Sequence, residues 1–286
     1  MFYKFVKCSV FLFVLFFLLP ETYARDKNIL IFGIHPYLPA SELIDRFTPL
    51  SNYLSRKTGK KIVIEVSKDY NDHIEKIGND KIDIAFMGPV SYVKMVQKYG
   101  KKSLICRLEV NGRPTFRGVI VVSKDSKIKV LSDLKGKRFA FVDPESTMGY
   151  IVPLYLFLID GINIRDFSSY RFLYNHHNVV LGVLAGDFDA GAVKEDIFYE
   201  YEKRGLRALA WSPDISEHVI VTNKKVSKKT IRELSKAIFQ LKNSREGIKI
   251  LKKIQPNLTG MVSADDKDYE NLRNIYQRLI EVGYKL

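Results

Sequence analysis

Short apolar runs alternate with segments of helical periodicity along most of the chain. The first run, residues 29–33, predicts a buried strand. The next segment, residues 42–57, places apolar side chains three and four positions apart, which predicts a helix with one buried face. Within it, Thr48-Pro49 has the form of an N-cap followed by proline at the first helical position. We therefore expect this helix to break or restart at Pro49.

The same alternation runs to residue 99 and recurs after residue 115. Further strands are predicted at 61–66, 82–87, 118–123, 138–142, 170–173 and 190–193, and further helices at 69–77, 89–99, 149–159, 179–185 and 195–203. Strands interleaved with helices predict an α/β protein with mainly parallel sheets flanked by helices.

Two stretches with this pattern predict two lobes. The first lobe comprises residues 25–113 plus 221–286 and the second comprises 114–220, with hinge crossovers near 110–118 and 217–223. The crossovers are expected there because two long extended runs rich in β-branched residues lie at these positions. The mostly helical last 65 residues would then return to the first lobe.

The N-terminus reads as an export signal. Lys4 and Lys7 precede an apolar run over residues 10–19, followed by Pro20 and small residues ending at Ala24. This order predicts a signal peptide of residues 1–24, cleaved after Ala24. The run is about half the ~20 residues that span a bilayer, so an uncleaved anchor is the less favoured alternative. The expected mature protein is periplasmic and soluble.

Composition then narrows the class of protein. The 286 residues include 46% hydrophobic residues and two cysteines, which excludes a disordered or disulfide-stapled chain. Cys8 would leave with the signal, and Cys106 lies in an apolar run where a buried core position is expected. The net charge of +14 becomes +13 after signal removal and favours anionic partners.

Most of that charge is concentrated near the C-terminus. Residues 222–253 contain eleven Lys/Arg and two Glu, a net charge of +9, around an apolar helical stripe. This pattern predicts either the solvated outer face of a first-lobe helix or a docking surface for anionic lipid headgroups or an acidic partner. No nucleic-acid partner is expected, because no recognition motif accompanies the charge.

Candidate chemistry lies in the loops that follow the predicted strands, where open α/β sheets bind ligands. These loops are residues 35–37, 88–92, 143–149, 175–178 and 194–196. In the third, Ser146 and Thr147 occupy N-cap positions and Gly149 allows close backbone approach. Hydroxyls, free N–H groups and a helix dipole together suit an oxyanion. Helix starts at Pro89 and His176 are expected to converge on the same ligand.

Three segments, residues 86–92, 130–147 and 189–193, resemble the phosphate/phosphite/phosphonate-binding proteins of ABC importers. The resemblance runs in order over nearly the whole mature chain and implies the two-lobed type II periplasmic binding-protein fold, with the ligand cleft between the lobes. It implies that Ser146 and Thr147 bind the oxyanion and that His176 donates to it.

The same resemblance assigns further site residues. Tyr37 and Tyr92 would close the first-lobe side, and Glu195 corresponds loosely to an acid that holds a ligand amine. Ser91, at the helix start at Pro89, is a further candidate for ligand binding. The chain departs from the family at Met148, where a third small hydroxyl residue is common, and at His177, where an acid is common. These two departures leave another oxyanion or a larger organophosphonate open as the ligand.

Metal and catalytic interpretations of the same residues are weaker. His176-His177 could ligate a metal, but His35, His73 and His218 are scattered at no regular ligand spacing, so neither a metal nor a cofactor is expected. Ser146, His176 and Asp143 could form a triad, yet the chain has no Gly-x-Ser-x-Gly elbow. The chain is therefore not expected to be an enzyme.

The leading hypothesis is an exported, monomeric solute-binding protein that captures a small phosphorus oxyanion by lobe closure and delivers it to an ABC permease. The alternatives are a periplasmic adaptor that presents its closed form to a membrane sensor kinase or cyclase, and a small-substrate enzyme on the same fold.

Overall fold

Two mixed sheets organise the protein, for which a computed structural model describes residues 28–286. The predicted signal peptide lies outside the described residues. The six-stranded sheet, which defines the first lobe, has the spatial order β13 (Leu258–Val262), β4 (Ser103–Val110), β12 (Val219–Thr222), β3 (Ile84–Met87), β1 (Ile29–Ile34) and β2 (Lys61–Val66). The five-stranded sheet, which defines the second lobe, has the order β10 (Leu206–Trp211), β6 (Gly118–Ser123), β9 (Ala190–Lys194), β7 (Arg138–Phe141) and β8 (Ser169–Phe172).

The helices cover these sheets in chain order. They are α1 (Ala40–Thr58), α2 (Tyr70–Gly78), α3 (Pro89–Tyr99), α4 (Val152–Ile159), α5 (His176–Leu184), α6 (Glu195–Tyr201), α7 (Lys228–Phe239), α8 (Arg245–Ile254) and α9 (Glu270–Glu281). Short 3-10 turns occur at Leu131–Leu134, Ile164–Asp166, Glu202–Arg204, Leu241–Asn243 and Asp266–Tyr269, and a π-helical turn at Thr147–Ile151 precedes α4.

The α/β prediction is confirmed, but the sheets are mixed rather than mainly parallel. In the first lobe β1 pairs in parallel with β2 and β3, whereas β12, β4 and β13 form antiparallel pairs. In the second lobe β7 is parallel to β8 and β9, whereas β6 is antiparallel to β9 and β10. The antiparallel strands include those that lead into and out of the crossings between the lobes.

The chain crosses between the lobes twice, at neighbouring positions. It leaves the first sheet from β4 and returns into β12, which is adjacent to β4. In the second sheet it enters at β6 and leaves from β10, which are also adjacent. Between the sheets, β5 (Thr115–Phe116) and β11 (Ile215–Ser216) pair as a short antiparallel ribbon. The two crossings therefore run side by side.

The predicted break at Pro49 is wrong, because α1 runs through it without interruption. Proline inside a helix costs about 3 kcal/mol. That cost is offset by burial of one helix face, which includes Leu43, Phe47, Leu50 and Leu54, each at most 1% exposed.

The last helix contacts both lobes. Helix α9 packs against α3 of the first lobe and α4 of the second, and its Leu272, Ile275 and Leu279 belong to a core cluster that also contains Phe139 and Phe157. Cys106 is buried and unpaired, as predicted. None of the helices in residues 28–286 combines the length and apolar character that a membrane crossing needs.

Candidate functional site

A narrow cavity lies between the two lobes, and we call it the central cavity. The first lobe and the adjoining crossing contribute His35, Tyr37, Tyr70, Gly88, Phe116 and His218. The second lobe contributes Glu145, Ser146, Thr147, Met148, His176 and Lys194. Five of the nine predicted site residues line it, namely Tyr37, Ser146, Thr147, Met148 and His176.

The loop after β7 places Ser146 and Thr147 at the cavity. The Asp143 carboxylate accepts a hydrogen bond from the Glu145 N–H at 2.8 Å, which fixes the turn. Ser146 then caps the π-helical turn. Gly149 is required here, because a Cβ at that position would lie 2.4 Å from the Cβ of Val142. Close packing of the turn on the strand end therefore depends on this glycine.

Both hydroxyls in this loop already accept a backbone N–H. Ser146 Oγ accepts from Gly149 at 3.0 Å, and Thr147 Oγ1 accepts from Val90 at 3.1 Å. A hydroxyl that accepts one hydrogen bond still has its own O–H to donate. Val90 is in the first turn of α3, so the Thr147 bond joins the two lobes and satisfies an N–H that a helix start leaves free.

His176, at the start of α5, contributes a neutral donor. Its Nδ1 accepts the backbone N–H of Lys194 at 3.3 Å. A neutral imidazole that accepts at Nδ1 carries its proton on Nε2, so Nε2–H is the donor. Burial, followed by the charge of Lys194, lowers the pKa of His176 to about 3. The ring is therefore uncharged at neutral pH.

His35 forms the first-lobe side of the cavity, at the end of β1. It is 2% exposed, and within the described part of the chain neither ring nitrogen has a hydrogen-bond partner. Burial, then the neighbouring His218 and His73, holds the pKa of His35 well below its usual range. Since a buried polar group without a partner costs about 1–3 kcal/mol, the His35 imidazole is a candidate to bond a polar group of a ligand.

Aromatic and imidazole rings surround His35. Tyr37 stacks on it with ring centroids 4.9 Å apart, and Tyr70 meets it edge-on at 5.3 Å. Burial raises the pKa of both tyrosines, which keeps their hydroxyls protonated. His218 lies 5.4 Å from His35, and its Nδ1 lies 2.9 Å from Glu217 Oε2. The first-lobe wall is thus built mainly of polar rings.

A lysine and a glutamate complete the cavity lining. Lys194, the last residue of β9, forms an ion pair with Asp196 at 2.9 Å. Glu145 forms an ion pair with Lys94 of α3 at 2.6 Å, which is a second contact between the lobes. Both carboxylates are thereby matched by a cation.

Four of the predicted residues do not line the central cavity. Tyr92 is fully buried: its ring lies tilted against that of Tyr269 with centroids 4.7 Å apart, and its hydroxyl donates to Asp266 at 2.9 Å, because its face of α3 turns toward the 3-10 turn that precedes α9. Glu195 lines a neighbouring pocket with Lys194; its carboxylate accepts from the Arg117 N–H at 3.1 Å and lies 3.4 Å from the guanidinium groups of Arg113 and Arg117.

The other two lie close to the cavity. Ser91 is buried behind Gly88, with an Oγ that has no partner among the described residues. His177 contacts the Tyr201 hydroxyl at 3.2 Å and lines the next pocket, together with Lys194 and Asp196.

Sequence reasoning assigned no role to His35, His218 or Lys194. His35 and Lys194 do lie in the strand-end loops 35–37 and 194–196, but only Tyr37 and Glu195 were selected from those loops. His218 precedes an antiparallel strand, where that rule gives no signal. Within residues 28–286, no group of three or more His, Cys, Asp or Glu side chains has the arrangement of a metal site.

The basic residues between positions 224 and 253 lie elsewhere. All eleven are exposed, and none of them lines the central cavity. We call them the basic face. Two of its lysines have acidic partners, Lys229 with Glu233 at 3.9 Å and Lys253 with Asp45 at 2.5 Å.

Known proteins resemble this chain over most of its length. Residues 32–269 match the family model described as ABC transporter, phosphonate, periplasmic substrate-binding protein. The phosphonates-binding periplasmic protein of Escherichia coli is 32% identical over 163 residues, which is 55% of this chain but only about half, 48%, of that protein. The phosphate-import protein PhnD of Mycolicibacterium smegmatis is 25% identical over 260 residues, covering 82% of this chain and 81% of its own.

Solved structures share the fold. PhnD1 from Prochlorococcus marinus, in complex with methylphosphonate, superposes with a TM-score of 0.80 at 22% identity, covering 89% of this chain and 99% of that one. This agreement confirms the two-lobed fold, and the family match confirms the resemblance noted in the sequence. The chain belongs to the family of periplasmic substrate-binding proteins of phosphonate ABC transporters.

Proposed function

We propose that the chain captures a small phosphorus oxyanion, of the phosphonate, phosphite or phosphate ester type, in the central cavity and delivers it to an ABC permease. The observation that carries this proposal is the set of donors facing one space from both lobes. Ser146, Thr147 and His176 offer O–H and N–H groups from one side, and His35 offers an unpaired imidazole from the other. A tetrahedral oxyanion has the several acceptor oxygens that such a set requires.

Binding would couple to lobe closure. The Val90–Thr147 hydrogen bond and the Lys94–Glu145 ion pair both join the lobes, so they exist only while the cleft is closed. A ligand that adds bonds to both walls favours that closed state by its differential contacts. We place the hinges at the crossovers near residues 110–118 and 217–223, where the chain crosses between the sheets as two adjacent segments.

The site is suited to binding rather than to turnover. His176, the second-lobe imidazole that lines the cavity with Ser146, uses Nδ1 to accept from Lys194 and so carries its proton on Nε2, which can donate but not accept. A general base must instead accept the proton of the nucleophile. We propose a periplasmic binding protein that acts as a monomer, since one chain supplies both walls of its cavity, and that needs no metal or cofactor.

Calorimetry on residues 25–286 tests the ligand class. Phosphate, phosphite and methylphosphonate are titrated in turn, with chloride and acetate as control anions. We expect saturable one-to-one binding for at least one phosphorus oxyanion and none for the controls. No heat and no thermal shift with any phosphorus oxyanion, on folded protein, would refute the ligand assignment.

Delivery is tested separately in cells that lack the gene. Uptake of the labelled ligand identified by calorimetry should be lost and should return with the wild-type chain, but not with the Ser146→Ala/Thr147→Ala variant. Unchanged uptake in the deletion strain would refute the transport role while leaving the binding result intact.

A further inference from the structure

One cationic side chain stands apart at the central cavity. Among the described residues that line the cavity, Lys194 is the only lysine or arginine. Its side chain is 16% exposed, so its charge is only partly screened by water. Lys194 also lines two neighbouring pockets, one with Glu217 and Gln255 and one with His177 and Glu200. It therefore stands where the oxyanion site opens toward the space available to a ligand substituent.

The partner of this lysine lies behind it. Asp196 pairs with the ammonium group at 2.9 Å and lines the two neighbouring pockets, but it does not line the central cavity. The pair therefore presents its positive end to the cavity. Burial acts to lower the pKa of Lys194, but the Asp196 carboxylate beside it outweighs burial, and the net shift of the pKa is upward. The ammonium group stays charged across the physiological range.

Contacts with both walls fix the position of the ammonium group. It lies 5.6 Å from the centre of the Tyr37 ring, within the range of a cation–π contact with the first lobe. Its charge also contributes to the lowered pKa of His35 in the first lobe and of His176 in the second. The field of Lys194 is thus felt on both sides of the space where the ligand would bind.

We infer that Lys194 sets the charge class of the ligand: the site accepts phosphorus oxyanions whose remaining substituent carries no positive charge and disfavours those that carry an ammonium group. This inference rests on the proposed function. The physical reason is that a ligand ammonium would meet a like charge in a partly desolvated cavity. Three carboxylates in the lining of the cavity and of the neighbouring pockets, those of Glu145, Glu195 and Asp196, are already paired with lysine or arginine and so are not free to hold it.

The test compares two ligands of nearly equal size, propylphosphonate and 2-aminoethylphosphonate, by calorimetry. In the wild-type chain we expect propylphosphonate to bind at least tenfold more tightly. We then divide the dissociation constant of 2-aminoethylphosphonate by that of propylphosphonate and follow this ratio through a series of charge variants. The ratio should rise in Asp196→Asn and fall in Lys194→Met/Asp196→Asn. It should fall further in Lys194→Met, where an unpaired carboxylate is left to attract the ammonium group.

Two controls separate charge from shape and folding. Lys194→Arg keeps the charge and should keep the ratio of the two dissociation constants within about threefold of the wild-type value. Lys203→Met removes an exposed lysine of the second lobe and should leave that ratio unchanged. Circular dichroism shows whether each variant is folded. The double variant keeps the series interpretable if the single Lys194→Met variant fails to fold, since it leaves no buried charge unpaired.

The outcomes are distinguishable. Equal affinity for both ligands in the wild-type chain, or a ratio that does not change along the charge series, overturns the role of Lys194 while the proposed function stands. Binding of neither ligand, nor of phosphate, phosphite or methylphosphonate, overturns the proposed function and this inference with it.

Discussion

The basic face and the central cavity differ in how they could interact with an anion. The basic face carries eleven exposed Lys and Arg side chains, whereas the cavity is lined by one lysine and one glutamate, each in an ion pair, and otherwise mainly by imidazole, hydroxyl and tyrosine groups. An oxyanion needs donors at defined positions more than it needs net charge, because a buried charge-assisted hydrogen bond depends on geometry and on exclusion of water. The most positive surface is thus not the candidate anion site.

The largest effect is expected from removing both hydroxyls of the cavity. A hydrogen bond to a charged group contributes about 1.5–3 kcal/mol, so Ser146→Ala/Thr147→Ala should weaken binding of the cognate oxyanion at least a hundredfold. Calorimetry measures this loss, and thermal unfolding checks that the variant remains folded. An unchanged affinity in the folded double variant would show that these hydroxyls do not hold the ligand.

The next largest effect is expected at His35, which sequence reasoning did not assign. His35→Leu should weaken the same binding about ten- to a hundredfold, because it removes one donor to a charged ligand. It should not lower the stability of the ligand-free protein, because the leucine relieves two buried nitrogens that lack partners. His73→Leu, behind the cavity, is the matched control and should affect stability more than affinity. If His73→Leu weakened ligand binding and His35→Leu did not, the ligand would bind away from His35.

Acidification should destabilise the folded protein through the buried histidines in and behind the cavity, and not through the lysines and arginines of the basic face. Burial lowers the pKa of His176 to about 3, that of His73 to about 4, and that of His35 well below its usual range. Below about pH 6.5 the unfolded chain therefore binds more protons than the folded chain. The unfolding free energy should fall as pH drops from 6.5 toward 4, by about 1.4 kcal/mol per pH unit for each histidine.

Urea unfolding at several pH values measures that slope. His73→Gln should reduce it by about one histidine's share, whereas Thr222→Val, which alters a buried polar residue that does not titrate, should leave it unchanged. Identical slopes in the wild type and both variants would show that buried neutral histidines do not control the acid response.

The smallest effect on ligand affinity is expected from the basic face itself. Replacing Lys228, Lys229, Lys236 and Lys242 by Gln should change the dissociation constant less than about twofold at physiological salt, where the screening length is about 8 Å. The measurement is calorimetry at 0.15 M salt. A loss greater than tenfold would mean that the surface charge, and not the cavity, determines anion binding.

Much of the fold and part of the site could be predicted from the sequence. Strand-end loops and the family segments pointed to Ser146, Thr147 and His176, because these positions depend on local turns and helix starts. It was harder to predict from the sequence which side chains of a helix face the cavity. Ser91 and Tyr92 are adjacent in α3, and only packing of that helix against the 3-10 turn at Asp266–Tyr269 decides that Tyr92 faces Tyr269 rather than the cavity.

Residues brought together from distant strands were missed for the same reason. His35 and His218 are far apart in the sequence, and their rings lie 5.4 Å apart only because β1 and β12 flank β3. Pro49 shows the opposite failure, since a strong local signal for a helix break is overridden by burial of the surrounding face of α1. In both cases tertiary packing decided the outcome.

A crystal structure of residues 25–286 with methylphosphonate tests the central claim most directly. We predict phosphonate oxygens within hydrogen-bond distance of the Ser146 and Thr147 hydroxyls, His176 Nε2 and a ring nitrogen of His35, in a closed cleft. Methylphosphonate bound at the basic face with the cavity empty, or in the cavity without contact to these four side chains, would contradict the account.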